Sequence, residues 1–304
     1  MLHFPVLLEE SVDFLISNID GKYIDATFGR GGHSKLILSK LSSKGHLSAF
    51  DKDPDAIKFS KNFNESNFNS FHDSFKNLTE YFDNKSIDGV IYDLGTCSTH
   101  FDDPIRGFSF NKDGPLDMRF DNTKGTSLAE WLNDALEEEI IEILYKFGDE
   151  KHAKIISKAI ILERAKNPIT KTSQLSKIIQ QIYPEKKNKN HPATKCFQAF
   201  RIFINKELEE FELSLDAAKQ VIRKNGIIVT IAFHSLEDSI IKNFFNPSFT
   251  SFPKDIPLNN IEDKSFRCIA KKIRPSDEEI YKNPRSRSAI MRVFQKIWLP
   301  EEWF

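Results

Sequence analysis

The segment Tyr23–Ser34, YIDATFGRGGHS, constrains this chain more than any other. Lys22–Thr27 reads as a strand and Ser34–Leu41 as a helix, with Gly29, Gly31 and Gly32 in the turn between them. Glycines without Cβ atoms let a ligand approach the backbone and meet the N–H groups at the helix start. Asp51 ends the next strand, about twenty residues on, where an acid accepts hydrogen bonds from both hydroxyls of an adenosine ribose. A dinucleotide loop wants a third glycine where Ser34 stands, so that pattern is incomplete. Asp25 on the first strand favours S-adenosylmethionine. A carboxylate there complements an amino group and a sulfonium and would repel a pyrophosphate. The glycine loop alone admits several nucleotide cofactors, and a purely structural turn is the bland alternative.

The flanking pattern is α/β. Leu47–Phe50 is a second strand, and Pro54–Asn62 a helix opened by Asp53 as N-cap and Pro54 at its first position. Ser86–Leu94 is a further apolar run that closes on Asp93. Strands alternating with helices predict a parallel sheet covered on both faces. Asp25, Asp51 and Asp93 then share the carboxyl edge, where such sheets bind ligands. After about Phe108 the pattern turns helical: Leu128–Tyr145, His152–Ala165, Ser173–Ile182 and a long Ala193–Ala218. A Lys-rich loop, Glu185–Asn190, precedes the last of these. The strand signal returns at Gly226–Phe233, and Ser248–Glu262 reads as a loop. The expected organisation is an α/β domain over residues 1–107 and 206–304, interrupted by a helical insertion over 108–205.

Composition narrows the class. The 43 Lys and Arg nearly cancel 44 Asp and Glu, so a nucleic-acid partner must be met by a local basic patch. Cys97, Cys196 and Cys268 lie far apart without a CxxC, which speaks against a zinc ribbon or a disulfide framework and fits a reducing cytosol. The longest apolar run, Ile227–Phe233, is too short to span a bilayer, and the acidic N-terminus lacks signal-peptide character. A cytoplasmic protein with no membrane partner is expected.

Longer blocks carry a resemblance. They are HFPVLLEE, YIDATFGRGGHS, AFDKDP, FDDPIRGFSF, DGPLDMRFD, HPATKCFQAFRIFINKELEE, FHSLED and RPSDEEIYKNPRSRSAIMRV, in that order along nearly the whole chain. In these the chain resembles the bacterial methyltransferases that modify N4 of a cytosine in small-subunit ribosomal RNA. The resemblance implies a Rossmann-like, class I S-adenosylmethionine-dependent methyltransferase sheet with an inserted helical domain. It implies cofactor contacts from Gly31, Gly32, His33, Asp51, Phe75, Asp93 and His100, with Asp93 also the candidate catalytic residue, and a small-subunit ribosomal RNA or small ribosomal subunit as partner. His100 departs from the family, which has Gln after a Ser-Ser-Pro run where this chain reads Cys97-Ser98-Thr99. The tetrapeptide D/N/S-P-P-Y/F of amino-methylating enzymes is also absent, since Asp93 is followed by Leu94-Gly95-Thr96.

The remaining motifs concern the substrate. Lys264–Lys296 holds ten Lys or Arg against three acids, and Arg285 and Arg287 alternate with serines in a way that suits phosphate contacts. Lys195 and Arg201 are candidates for phosphates, with Phe197 and Phe200 as core. FHSLED ends a strand and begins a helix. Ser235 reads as its N-cap with Asp238 at the third position, and His234 as a residue at the rim of a base pocket. No partner His or Cys sits where a metal site would need it. Three rival classes remain open: a DNA amino-methyltransferase, a nicotinamide-dependent dehydrogenase, and a non-enzymatic RNA-binding or assembly factor.

Overall fold

The computed structural model describes residues 5–183, 191–246 and 265–297. The stretches 185–190 and 248–262, both read as loops above, lie outside these residues. The described chain forms two units, one of residues 1–95 and 208–304 and one of 96–207.

The first unit starts with α1 (Leu8–Leu15), β1 (Lys22–Asp25), α2 (Gly32–Lys40), β2 (His46–Asp51), α3 (Pro54–Ser60), β3 (Phe68–His72), α4 (Leu78–Tyr81) and β4 (Ile87–Asp93). The insertion then runs through α5 (Ser98–Asp102), α6 (Leu128–Asp134), α7 (Glu137–Gly148), α8 (Ala153–Arg164), α9 (Thr172–Gln180) and α10 (Thr194–Asn205). The chain returns through α11 (Glu207–Val221), β5 (Ile222–Ala232), α12 (Ser235–Phe245), β6 (Phe266–Ile273), α13 (Asp277–Lys282) and β7 (Ile290–Lys296).

The seven strands form one sheet in the order β3-β2-β1-β4-β5-β7-β6. The first five are parallel, while β7 runs antiparallel to both β5 and β6. Alternation along each strand sorts the apolar residues onto two faces. Ile24, Val90, Tyr92 and Ile228 pack with Phe211, Leu215 and Ile241 of α11 and α12. Tyr23, Ile91, Ile227, Val229 and Ile231 pack with Val12, Leu15 and Ile37 of α1 and α2. This is the Rossmann-like α/β arrangement the strand and helix alternation predicts. The reversal of strand order lies between β1 and β4, and the carboxyl ends there form the crevice in which such sheets take ligands.

The helical unit has its own core, including Phe108, Leu116, Leu132, Leu144, Ile156, Leu175, Phe197 and Phe200. It begins at Thr96, earlier than the composition shift near Phe108, because Phe101 and Phe108 already pack in this core. Two helices expected to be continuous are broken. Leu128–Tyr145 divides at Ala135 and Leu136, where Glu139 turns back to accept from the Leu136 N–H at 2.7 Å. Ala193–Ala218 divides at Lys206, which is left-handed (φ 52°) and caps α10 by donating to the carbonyls of Ile202 and Phe203. The α3 cap is as expected, with Asp53 accepting from the Asp55 N–H at 3.0 Å and Pro54 at the first position. No helix among the described residues is long and apolar enough to cross a membrane.

Candidate active site at the sheet crest

The glycine turn is fixed from below. Gly31 is left-handed (φ +68°), and a Cβ on it would lie 2.5 Å from the Phe63 ring and 2.9 Å from Phe28. Phe28 and Phe63 meet edge to face at 5.4 Å, so the turn rests on an aromatic floor. Gly32 is equally constrained, since a Cβ there would lie 2.8 Å from Pro5. Helix α2 starts on Gly31 with no side-chain cap. The Ser34 N–H in its first turn is held by Asp25, and the positive end of its dipole favours a negative charge.

The three strand-end acids have different surroundings, which follow from register. Asp25 aligns with Ala49 on β2 and Ile91 on β4, so it sits two residues behind Asp51 and Asp93. It is 1% exposed, and its oxygens accept from the Ser34 hydroxyl at 2.6 Å and the Thr27 N–H at 3.1 Å. Asp25 therefore ties the glycine turn to the sheet, which corrects the expectation that its charge faces the cofactor. Burial pushes its carboxyl up to about 6, against the hydrogen bonds from Ser34 and Thr27. The folded protein thus holds the Asp25 proton more tightly than the unfolded chain does. Asp25 favours folding below the ordinary value of 3.8, and that contribution is lost as pH rises through about 6. Relative to wild type, Asp25→Asn is expected to gain roughly 2–3 kcal/mol between about pH 4 and pH 7, read from urea unfolding. A difference that is flat with pH contradicts this account.

Asp51 and Asp93 reach the crest. Asp51 accepts from the Gly29 N–H at 2.7 Å and the Asp53 N–H at 2.8 Å, so it shapes the glycine turn as well as ending β2. Asp93, with its side chain 16% exposed, has an oxygen 3.6 Å from Nδ1 of His33. The Asp93 N–H donates to the Thr27 hydroxyl at 2.7 Å, which gives a role to the threonine found where such loops often have glycine. His33 is buried, with Nε2 3.2 Å from the Val6 carbonyl. Phe75 opens the turn after β3 and meets Tyr92 edge to face at 5.9 Å. Gly31, Gly32, His33, Asp51, Phe75 and Asp93 are thus all in the sheet unit, around the carboxyl ends of β1 to β4. His100 lies in the helical unit, its buried ring stacked on Phe108 at 5.0 Å and near Phe120 at 5.3 Å.

The open glycine turn and the carboxylates of Asp51 and Asp93 at the strand ends fit S-adenosylmethionine, the cofactor of this methyltransferase class.

The substrate candidates have varied surroundings. Lys195 donates to the Asp149 carbonyl at 2.8 Å. Arg201 is held by both oxygens of Glu207, at 2.8 and 2.9 Å, and donates to the Thr96 hydroxyl at 3.0 Å. His234, and not Ser235, is the N-cap of α12, and Glu237, not Asp238, is at the third position. Its Nδ1 accepts from the Glu237 N–H at 3.4 Å, and its Nε2 lies 2.9 Å from Glu237 Oε1. Asp238 is instead engaged by Arg292, at 2.7 and 3.1 Å. Arg285 and Arg287 are exposed on the turn Pro284–Ser288, on either side of buried Ser286, whose hydroxyl donates to the Asn283 carbonyl at 2.7 Å. The exposed cations Lys271, Lys272 and Arg274 lie at the end of β6 and just beyond it.

Fold and family together define a Rossmann-like methyltransferase, with its strand-end acids at the carboxyl ends of β1, β2 and β4. The chain belongs to the MraW methylase family, which it matches over residues 1–297. It is 45% identical to the ribosomal RNA small subunit methyltransferase H of Alteromonas mediterranea, over 97% of each chain. It is 42% identical to the protein of that name from Nitrosomonas europaea, over 97% of this chain and 98% of the other. A third, from Idiomarina loihiensis, is 41% identical over 97% of each.

Proposed function

We propose that the protein transfers a methyl group from S-adenosylmethionine to the N4 amine of a cytosine in the decoding region of small-subunit ribosomal RNA. The observation that carries this reading is the crest itself: Asp51 and Asp93 at the ends of β2 and β4, the strands on either side of β1, near the start of α2, in a chain of the methylase family. The names of the relatives supply the small-subunit RNA, and the blocks quoted above supply cytosine N4.

The cofactor supplies an electrophilic methyl on a sulfonium. The protein positions and complements charge. The start of α2 with Gly31, Gly32 and His33 holds the amino-acid end, Asp51 the ribose, and Phe75 the adenine. Asp93 accepts a hydrogen bond from the target amine, which draws the nitrogen lone pair out of conjugation with the ring. The target base leaves its stack to reach this carboxylate. His234 is at the rim, and Lys195, Arg201, Arg285 and Arg287 serve the RNA. The partner is the small ribosomal subunit or its RNA, which places the reaction in the cytoplasm.

The decisive experiment is mass mapping of ribosomal RNA from cells that lack the protein. Loss of one methyl group from a small-subunit cytosine is expected, and an unchanged pattern overturns the proposal. For the RNA surface, the double substitution Arg285→Ala with Arg287→Ala is expected to weaken RNA binding. The slope of log affinity against log salt should fall by about 0.7 to 0.9 for each phosphate contact removed. An unchanged slope removes both arginines from the interface.

A further inference from the structure

Helix α11 follows the insertion directly, and its first turn, ending at Glu210, closes the block HPATKCFQAFRIFINKELEE. Its buried face reaches the turns that hold the site. Glu210 is 7% exposed, in a position where a carboxylate is costly unless it is paired. One of its oxygens receives Lys52 Nζ at 3.0 Å and the Ser74 hydroxyl at 2.8 Å. The other lies 3.5 Å from Lys76 Nζ. These partners sit beside the cofactor residues. Lys52 directly follows Asp51, and its carbonyl lies 3.0 Å from the His72 ring nitrogen. Ser74 and Lys76 flank Phe75, and the Ser74 hydroxyl accepts from the Lys76 N–H at 3.3 Å, capping the turn that Phe75 opens.

We propose that Glu210 is a positioning residue for the adenosine half of the cofactor, binding Lys52, Ser74 and Lys76 together and so fixing the turns that carry Asp51 and Phe75 against each other. This rests on the S-adenosylmethionine reading above. The same helix supports the neighbouring strand end. Phe211 meets Tyr92 edge to face at 5.5 Å, and the Ser214 hydroxyl is 2.7 Å from that of Tyr92, the residue before Asp93. A purely stabilising role explains this arrangement less well. Lys52 and Lys76 are themselves partly exposed, and ion pairs with exposed lysines contribute little net stability.

The test is Glu210→Gln, which keeps the shape and removes the charge. Calorimetry is run with S-adenosylmethionine and with methylthioadenosine, which retains the adenosine and lacks the amino-acid end. Both dissociation constants are expected to rise about tenfold, and KM for the cofactor with them, while kcat stays within about threefold. Unchanged constants overturn the inference, as does a fall in kcat at unchanged affinity. A wild-type protein that binds neither ligand overturns the cofactor reading itself, which is a distinct result. If Glu210→Gln does not fold, Ser74→Ala carries the test, with both constants expected to rise about threefold and unchanged constants counting against the proposal.

Discussion

Asp93→Ala is expected to lower the saturated rate of methyl transfer by about 10²–10³-fold, the usual effect of removing a group that acts only as the transition state forms. Asp93 ends β4 with its side chain 16% exposed and an oxygen 3.6 Å from His33 Nδ1. Its backbone N–H is separately held by the Thr27 hydroxyl at 2.7 Å, so the strand end survives loss of the carboxylate. The measurement is single-turnover transfer of a labelled methyl to small-subunit RNA from cells lacking the protein, with cofactor affinity determined in parallel. The expected signature is a fall in kcat that exceeds any loss of cofactor affinity. A loss confined to affinity would show that Asp93 serves the cofactor alone.

Gly31→Ala is expected to be strongly destabilising. Alanine pays about 1–2 kcal/mol in the left-handed region that Gly31 occupies. Its Cβ would also stand 2.5 Å from the Phe63 ring and 2.9 Å from Phe28. Crowding of that kind costs about 1–3 kcal/mol, so a total of roughly 2–5 kcal/mol is expected. That is a large part of the stability of an ordinary domain, about 5–15 kcal/mol. Denaturant unfolding followed by aromatic fluorescence reads it directly. A wild-type midpoint would mean that the aromatic floor yields, contrary to the packing described.

Legibility varied with the range of the interactions involved. The three acids, the glycine turn and the Asp53-Pro54 cap were legible because each is a local signal. The burial of Asp25 was not, because it depends on register: only the pairing of Asp25 with Ala49 and Ile91 puts it behind the other two acids. The break at Lys206 carries no glycine or proline. It is fixed from a distance, where buried Asn205 donates to the Met118 carbonyl and accepts from the Phe120 N–H. The break at Leu136 did have a local signal in Glu137, Glu138 and Glu139, three acids suited to a first helical turn. The cap at His234 was misplaced by one residue because serine is the commoner cap and the imidazole does the same work here. Glu210 closes the block HPATKCFQAFRIFINKELEE, but its pairing was not legible, since its partners lie more than a hundred residues away in the chain.

The side chain of Arg201 bonds to Thr96, where the insertion begins, and to Glu207, where it ends. One guanidinium thus draws the entry and exit of the inserted segment to a single point. A segment whose two ends meet can be gained by a sheet protein without stretching either neighbouring element, much as domains with adjacent termini are tolerated inside host loops.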